Sequence, residues 1–116
     1  MEGIIKSFED LLIWQKSRLL VADIYKLNIP TKEFSFRDQI QRAVVSIMNN
    51  IAEGFERMGN KEFKKFLYIA KGSCGEVRSM LYLALDFNFI DKNDFNRLSN
   101  TTLEISKMIS SLIKKM

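Results

Sequence analysis

A chain of 116 residues suits one domain with a single core, and 47% hydrophobic with 28% charged residues is an ordinary globular composition. Histidine is absent, which excludes His-dependent nucleophiles and general bases and most zinc sites. We therefore expect no enzyme activity, no metal and no cofactor. The net charge of +4 arises entirely in residues 59–116, because residues 1–58 carry eight basic and eight acidic side chains. This excess fits a nucleic acid, an acidic partner or a solubilising surface.

Nothing in the chain predicts a membrane segment or an export signal. The longest unbroken apolar run, residues 80–85, is far shorter than the roughly 20 residues that a membrane span needs. The N-terminal stretch contains Glu2, Glu9 and Asp10 and lacks the layout of a signal peptide. A single cysteine, Cys74, fits a reducing compartment. We expect a cytoplasmic protein without a membrane partner.

The spacing of apolar residues follows the helical period and predicts four helices. The first covers about 8–27, after Ser7 and Asp10 in a capping-box arrangement, and Pro30 ends that region. The second covers about 35–57 and the third about 60–87, with Asn60 as its predicted N-cap. The fourth opens at Asp91 and ends in "IKKM". Short links force neighbouring helices to be antiparallel. The prediction is an all-α, antiparallel up-down-up-down four-helix bundle in one domain, 1–116.

The apolar arc of the second helix covers about 200° on a helical wheel, which is wider than one bundle interior requires. The first helix likewise has more apolar residues than can all point into the interior of a small bundle. These patterns predict a homo-oligomer, and the alternative is a broad core helix that is fully covered within one chain. Two glycines inside the third helix predict a tight helix–helix or subunit contact. The predicted interface residues are Trp14, Val45, Met48, Gly72 and Gly75.

Polar residues of the second helix recur at helical spacing within the stretch "RAVVSIMNNIAEGFER". They could form a solvent face, a functional site, or a partly buried ladder of hydrogen bonds. We favour the ladder, which would fix helix register and subunit packing, with Glu53 or Glu76 as the carboxylate partner of Arg42. The predicted polar network is Arg42, Ser46, Asn50, Glu53, Arg57 and Glu76.

A basic stripe on the third helix is the candidate ligand site. Its members fall within a sector of about 140°, and lysines around a tyrosine suit phosphates and a stacked base. Several of the lysines lie in the first turns, where the helix dipole disfavours cations. The alternative is a solvated charged face. The stripe comprises Lys61, Lys64, Lys65, Tyr68, Lys71 and Arg78, whereas Cys74 is assigned to the core.

Three segments carry a family resemblance: "SFEDLLIWQKS" (7–17), "RAVVSIMNNIAEGFER" (42–57) and "EFKKFLYIAKGSCGEV" (62–77). They resemble the four-helix-bundle family named for 23S ribosomal RNA intervening-sequence proteins. The resemblance implies small helical homo-oligomers, typically pentamers. It also implies similarity to the accessory protein of diversity-generating retroelements, a pentamer that binds nucleic acid and a reverse transcriptase. Met48 replaces a proline that is common in the family, which predicts a straighter second helix, and Arg78 replaces a common acid.

Two functions therefore compete at this point. The first is a non-enzymatic, homo-oligomeric bundle that binds RNA or DNA through the basic stripe. The second is a protein-interaction scaffold or accessory subunit, for instance of a reverse transcriptase, without direct nucleic-acid binding. A toxin-type ribonuclease bundle is disfavoured, because such bundles usually depend on a histidine and this chain has none.

Overall fold

Four α-helices and one short 3₁₀ turn form the architecture of residues 5–116, the part of the chain that the computed structural model describes. No strand occurs in that range, so the prediction of an all-α fold with four helices is confirmed. The first four residues of the N-terminal stretch, on which the signal-peptide expectation partly depends, lie outside it. The helices are α1 (Leu12–Tyr25), α2 (Phe34–Glu56), α3 (Asn60–Asp86) and α4 (Lys92–Lys114).

The predicted first helix is wrong at its start, and its predicted end lies two residues beyond the end of α1. A 3₁₀ turn, Phe8–Asp10, precedes α1, and Leu11 separates them with extended backbone angles (φ −77°, ψ 124°). The Asp10 carboxylate does accept from the Ser7 N–H at 3.3 Å, but this bond closes the short turn instead of capping a long helix. The turn lets the Phe8 ring pack edge-on against Trp14, with 5.1 Å between ring centroids.

Side-chain capping distinguishes the start of α4 from the starts of α2 and α3. The Asp91 carboxylate accepts from the Asp94 N–H at 2.7 Å, as the spacing of these acids predicts. The prediction of Asn60 as an N-cap is wrong: Gly59 occupies that position and Asn60 is already helical. Helix α2 begins after Glu33 without a side-chain cap. Long helices with extensive tertiary packing form without this local contribution.

Helices α2 and α3 form the most extensive helix pair among residues 5–116. Gln39 contacts Glu76, Ser46 contacts Ser73, and Phe55 contacts Phe63. The partner numbers on α3 therefore fall as those on α2 rise. Helix α2 passes through Met48 without interruption, as expected when proline is absent.

The core lies along the axis between the four helices, and the molecule measures 48 × 23 × 20 Å. The 27 residues of α3 span about 40 Å and so run most of that length. None of the helices in 5–116 is long and apolar enough to cross a membrane. The fully buried large side chains come from all four helices, and include Leu20, Ile24, Ile40, Ile47, Ile51, Leu67, Leu81, Leu98, Ile105 and Ile109.

Candidate functional site

Four members of the basic stripe border one groove at the start of α3. Lys61, Lys64, Lys65 and Tyr68 are spaced i, i+3, i+4 and i+7, so they share one helix face. The groove has a volume of about 450 Å³ and is completed by Asn60 and by Met116, at the end of the chain. Sequence spacing could suggest Asn60, which adjoins the stripe, but only tertiary structure brings Met116 there.

Tyr68 is an exposed aromatic residue in the lining of this groove. Its side chain is 57% exposed, and within the described chain no other aromatic ring packs against it. By contrast, the ring of Tyr82 lies edge-on to Phe95, with 4.9 Å between centroids. Tyr68 is therefore available for stacking on a ligand, which its place among lysines makes chemically useful.

The positive charge of the groove is only weakly neutralised. Lys65 Nζ lies 3.4 Å from Glu62 Oε2 in an exposed pair. Among residues 5–116, Lys61 and Lys64 have no carboxylate oxygen within 4.0 Å. Each cation near the positive end of the α3 dipole costs about 0.3–1 kcal/mol. These lysines therefore gain little inside the protomer and leave a local positive potential.

The last two members of the stripe lie apart from the groove. At 1.5 Å per residue, Lys71 and Arg78 are about 15 and 26 Å along α3 from Lys61. Both are half-buried, and neither borders the groove. The structure thus divides the predicted stripe into a groove cluster and two cations farther along the same helix.

Cys74 is a core residue, as predicted. Its side chain is fully buried beneath the basic side of α3. Burial raises the pKa of the Cys74 thiol to about 12, and the opposing charges of Lys71 and Arg78 offset this only partly. The thiol therefore stays protonated at neutral pH and cannot act as a nucleophile there.

The predicted polar network forms only in separate parts. Asn50 Nδ2 donates to the Ser46 carbonyl at 2.8 Å and to Ser46 Oγ at 2.9 Å. Ser73 Oγ donates to Ser46 Oγ at 2.8 Å, which joins α3 to α2. This partly buried set fixes the register between the two helices. Ser73 was missed because the sequence does not show which α3 residue faces Ser46.

The charged ends of that network are exposed. Arg42 Nε donates to Asp38 Oδ2 at 2.9 Å, so the expectation of Glu53 or Glu76 as its partner is wrong. The physical reason is exposure: the Arg42 side chain is 79% accessible and needs no buried counter-charge. Glu53 pairs with Arg57 at 3.1 Å, which confirms the i, i+4 pair that the sequence spacing predicts.

Glu76 takes no part in a ladder along α2. Its carboxylate accepts from Gln39 Nε2 at 3.4 Å, across the α2–α3 contact. The Arg57 guanidinium lies over the Phe66 ring at 5.1 Å, so this residue also links α2 to α3. These contacts support packing within the chain, and none of them builds a ligand site.

The predicted interface residues lie in three different environments. Trp14 is 9% exposed and packs mostly inside the protomer. Val45 and Met48 are half-buried against the core. Gly72 and Gly75 are exposed, and a Cβ atom added at either would have no atom of the described chain within 4 Å apart from the adjoining residues and backbone of α3 itself. A tight contact at these glycines must therefore involve another molecule.

Among the glycines of residues 5–116, Gly54 is the one that mediates close helix packing. An added Cβ atom would lie 2.6 Å from the Phe66 Cβ and 3.0 Å from a ring carbon of Phe63. Sequence reasoning did not single it out, although its place inside a helix is the same signal that marked Gly72 and Gly75.

A larger cavity, of about 610 Å³, lies where the end of α1 meets the start of α4. Its charged lining is of mixed sign, with three aspartates, Lys26 and Arg97, and Arg97 reaches Asp23 at 3.3 Å and Asp94 at 3.2 Å. Over 5–116, no three carboxylate or thiol side chains converge as metal ligands. The basic groove is thus the candidate site whose charged side chains are all basic.

Comparison with known proteins agrees with this architecture. Among solved structures, the chain is similar to a protein of unknown function from the S23 ribosomal protein family of Bacteroides thetaiotaomicron VPI-5482. The two share 29% identity and a TM-score of 0.82, over 89% of this chain and 99% of that chain. No protein with a curated description matches. The 23S rRNA-intervening sequence protein family model matches residues 9–111, and the chain belongs to that family.

Proposed function

We propose that the protein is a non-enzymatic, cytoplasmic homo-oligomer of antiparallel four-helix bundles that binds RNA or DNA through the basic stripe of α3. The observation that carries the proposal is the groove cluster of lysines around the exposed Tyr68. The positive end of the α3 dipole repels these lysines, and no group of the described protomer offsets that repulsion fully. An external polyanion would offset it. The reversed order of the α2–α3 contacts supports the antiparallel arrangement.

The test compares two pairs of lysines. Binding of labelled single-stranded and duplex RNA and DNA is measured across a salt series for Lys61→Gln/Lys64→Gln and for Lys32→Gln/Lys92→Gln. The control lysines are exposed and, within 5–116, have no ion pair. We expect only the first variant to bind more weakly, with the slope of log K against log salt reduced in magnitude by about 0.7–0.9 per lost phosphate contact. Absence of wild-type binding at low salt would refute the proposal.

The oligomeric part of the proposal is supported by apolar surface that the protomer leaves uncovered. Leu12 and Leu19 of α1 are 53% and 67% exposed, and their i, i+7 spacing puts them on one face. With the family resemblance, this surface favours a pentamer. Native mass spectrometry measures the assembly directly, and a species of 13.5 kDa alone would contradict it.

The same apolar surface favours a second candidate function, an accessory subunit that binds a reverse transcriptase or another protein. In that case, replacing Leu12 and Leu19 by Gln would abolish capture of the partner from the native host. The lysine variants above would leave that capture unchanged. If the protein instead acts by binding nucleic acid, the lysine variants lose function and the leucine variant does not.

A further inference from the structure

The surroundings of Tyr68 carry information about the form of the nucleic acid. From Lys61 to Tyr68 the groove cluster covers about 10 Å of one helix face, so it can contact successive phosphates of one nucleic-acid strand. The ring lies at the C-terminal end of the groove cluster and one helical turn from two of its lysines, because Tyr68 is four residues from Lys64 and three from Lys65. A phosphate held by these lysines thus brings its own base near the ring.

A second cavity adjoins the basic groove and offers apolar walls. Asn60 borders both, and the second cavity, of about 310 Å³, is also lined by Phe55, Met58 and Phe63. Met58 is 89% exposed and has a left-handed backbone (φ 60°), which is uncommon for an unbranched apolar residue. Apolar surface beside the cationic groove has no use for phosphates, but it suits the faces of unpaired bases.

Duplex and single-stranded ligands differ in what they offer to these two surfaces. In a duplex the base faces are stacked inside, and a protein meets backbone and groove edges. In a single strand the base faces are free to stack on aromatic rings, and each such contact contributes to affinity. We propose that the groove binds single-stranded nucleic acid and stacks an unpaired base on Tyr68. This inference rests on the proposed function.

The experiment measures fluorescence anisotropy with 12-nucleotide oligo(U), 12-nucleotide oligo(dT) and a 12-base-pair duplex at one salt concentration. For Tyr68→Ala we expect an affinity loss of roughly 5- to 150-fold on the single strands and none on the duplex. Tyr68→Phe should retain wild-type binding, since the ring remains. Tyr25→Ala is the matched control, because Tyr25 is 53% exposed and lies at the end of α1.

A second measurement does not depend on a variant. An abasic 12-mer with the same phosphates should bind the wild-type protein about as weakly as oligo(dT) binds Tyr68→Ala. Equal affinity for the abasic and normal strands, or an unchanged affinity of Tyr68→Ala for both single strands, would overturn the inference. If the lysine variants still weaken binding, the proposed function survives that result, whereas no wild-type binding to any probe removes both.

Discussion

The inner and outer faces of α3 belong to one helix and follow different rules. On the inner face, Leu67, Ala70, Val77, Leu81 and Ala84 have no exposed surface, and each fills space between neighbouring helices. On the outer face lie the groove lysines, the exposed Tyr68, and two glycines at which an added Cβ would meet no other element of residues 5–116 within 4 Å.

Intramolecular energetics explain only one of these faces. Burying an aliphatic side chain contributes about 1.5–3 kcal/mol, which accounts for the inner residues. Each outer glycine costs about 1 kcal/mol relative to Ala, and lysines near the start of a helix are also unfavourable. Packing within the protomer does not account for residues that destabilise the helix and make few contacts with other helices, and the proposed function does.

The largest expected effect concerns Cys74, on the inner face. Because its pKa rises from 9.0 to about 12 on folding, the unfolded chain ionises first and stability is lost as pH rises from 9 towards 12. Between pH 8 and pH 11, urea unfolding should show the stability advantage of wild type over Cys74→Ala falling by about 3 kcal/mol. The variant controls for lysine and tyrosine titration, and a difference independent of pH would contradict a buried thiol.

A smaller loss is expected where α2 meets α3. Gly54→Ala places a Cβ atom 2.6 Å from the Phe66 Cβ, so a backbone must shift, and overpacking of this kind costs about 1–3 kcal/mol. Chemical denaturation measures the loss. The same substitution at the open position Gly75 is the matched control, and equal responses at both sites would break the distinction between the faces.

On the outer face of α3, replacing glycine by alanine should raise stability instead of lowering it. Gly72→Ala and Gly75→Ala each add helix propensity in open space and should stabilise the monomer by about 1 kcal/mol. Thermal unfolding at dilutions where the protein is monomeric tests this, and a loss of stability would contradict open space. Native mass spectrometry of the same variants tests the predicted subunit contact, which the new Cβ atoms should weaken. If assembly is unchanged, Gly72 and Gly75 do not lie in the subunit interface.

The smallest effect is expected at Arg42. Its only ion pair within 5–116 is the exposed one with Asp38, and exposed i, i+4 pairs contribute about 0.3–0.5 kcal/mol. Arg42→Met should therefore change the free energy of unfolding by no more than about 0.5 kcal/mol and leave assembly intact. A loss of assembly, measured by native mass spectrometry, would contradict this expectation and support the partly buried network that the sequence pattern predicts.

Local signals were reliable where one short stretch contained both partners. The Asp91–Asp94 cap and the i, i+3, i+4 and i+7 positions of the groove cluster needed only helix geometry. Predictions failed where a competing contact decided the outcome. Leu11 interrupts the first helix where the Phe8 ring packs on Trp14, and Gly59 instead of Asn60 is the N-cap of α3.

The amino-acid sequence by itself determined the number and type of the helices, the family, and the basic character of one side of α3. These properties depend on periodicity and on residues close together in the chain. Tertiary structure alone decided that Ser73 bonds Ser46, that Met116 closes the basic groove, and that Gly54 is packed while Gly72 and Gly75 are open. Each of these depends on which helix covers a given face, and packing between distant segments sets that choice.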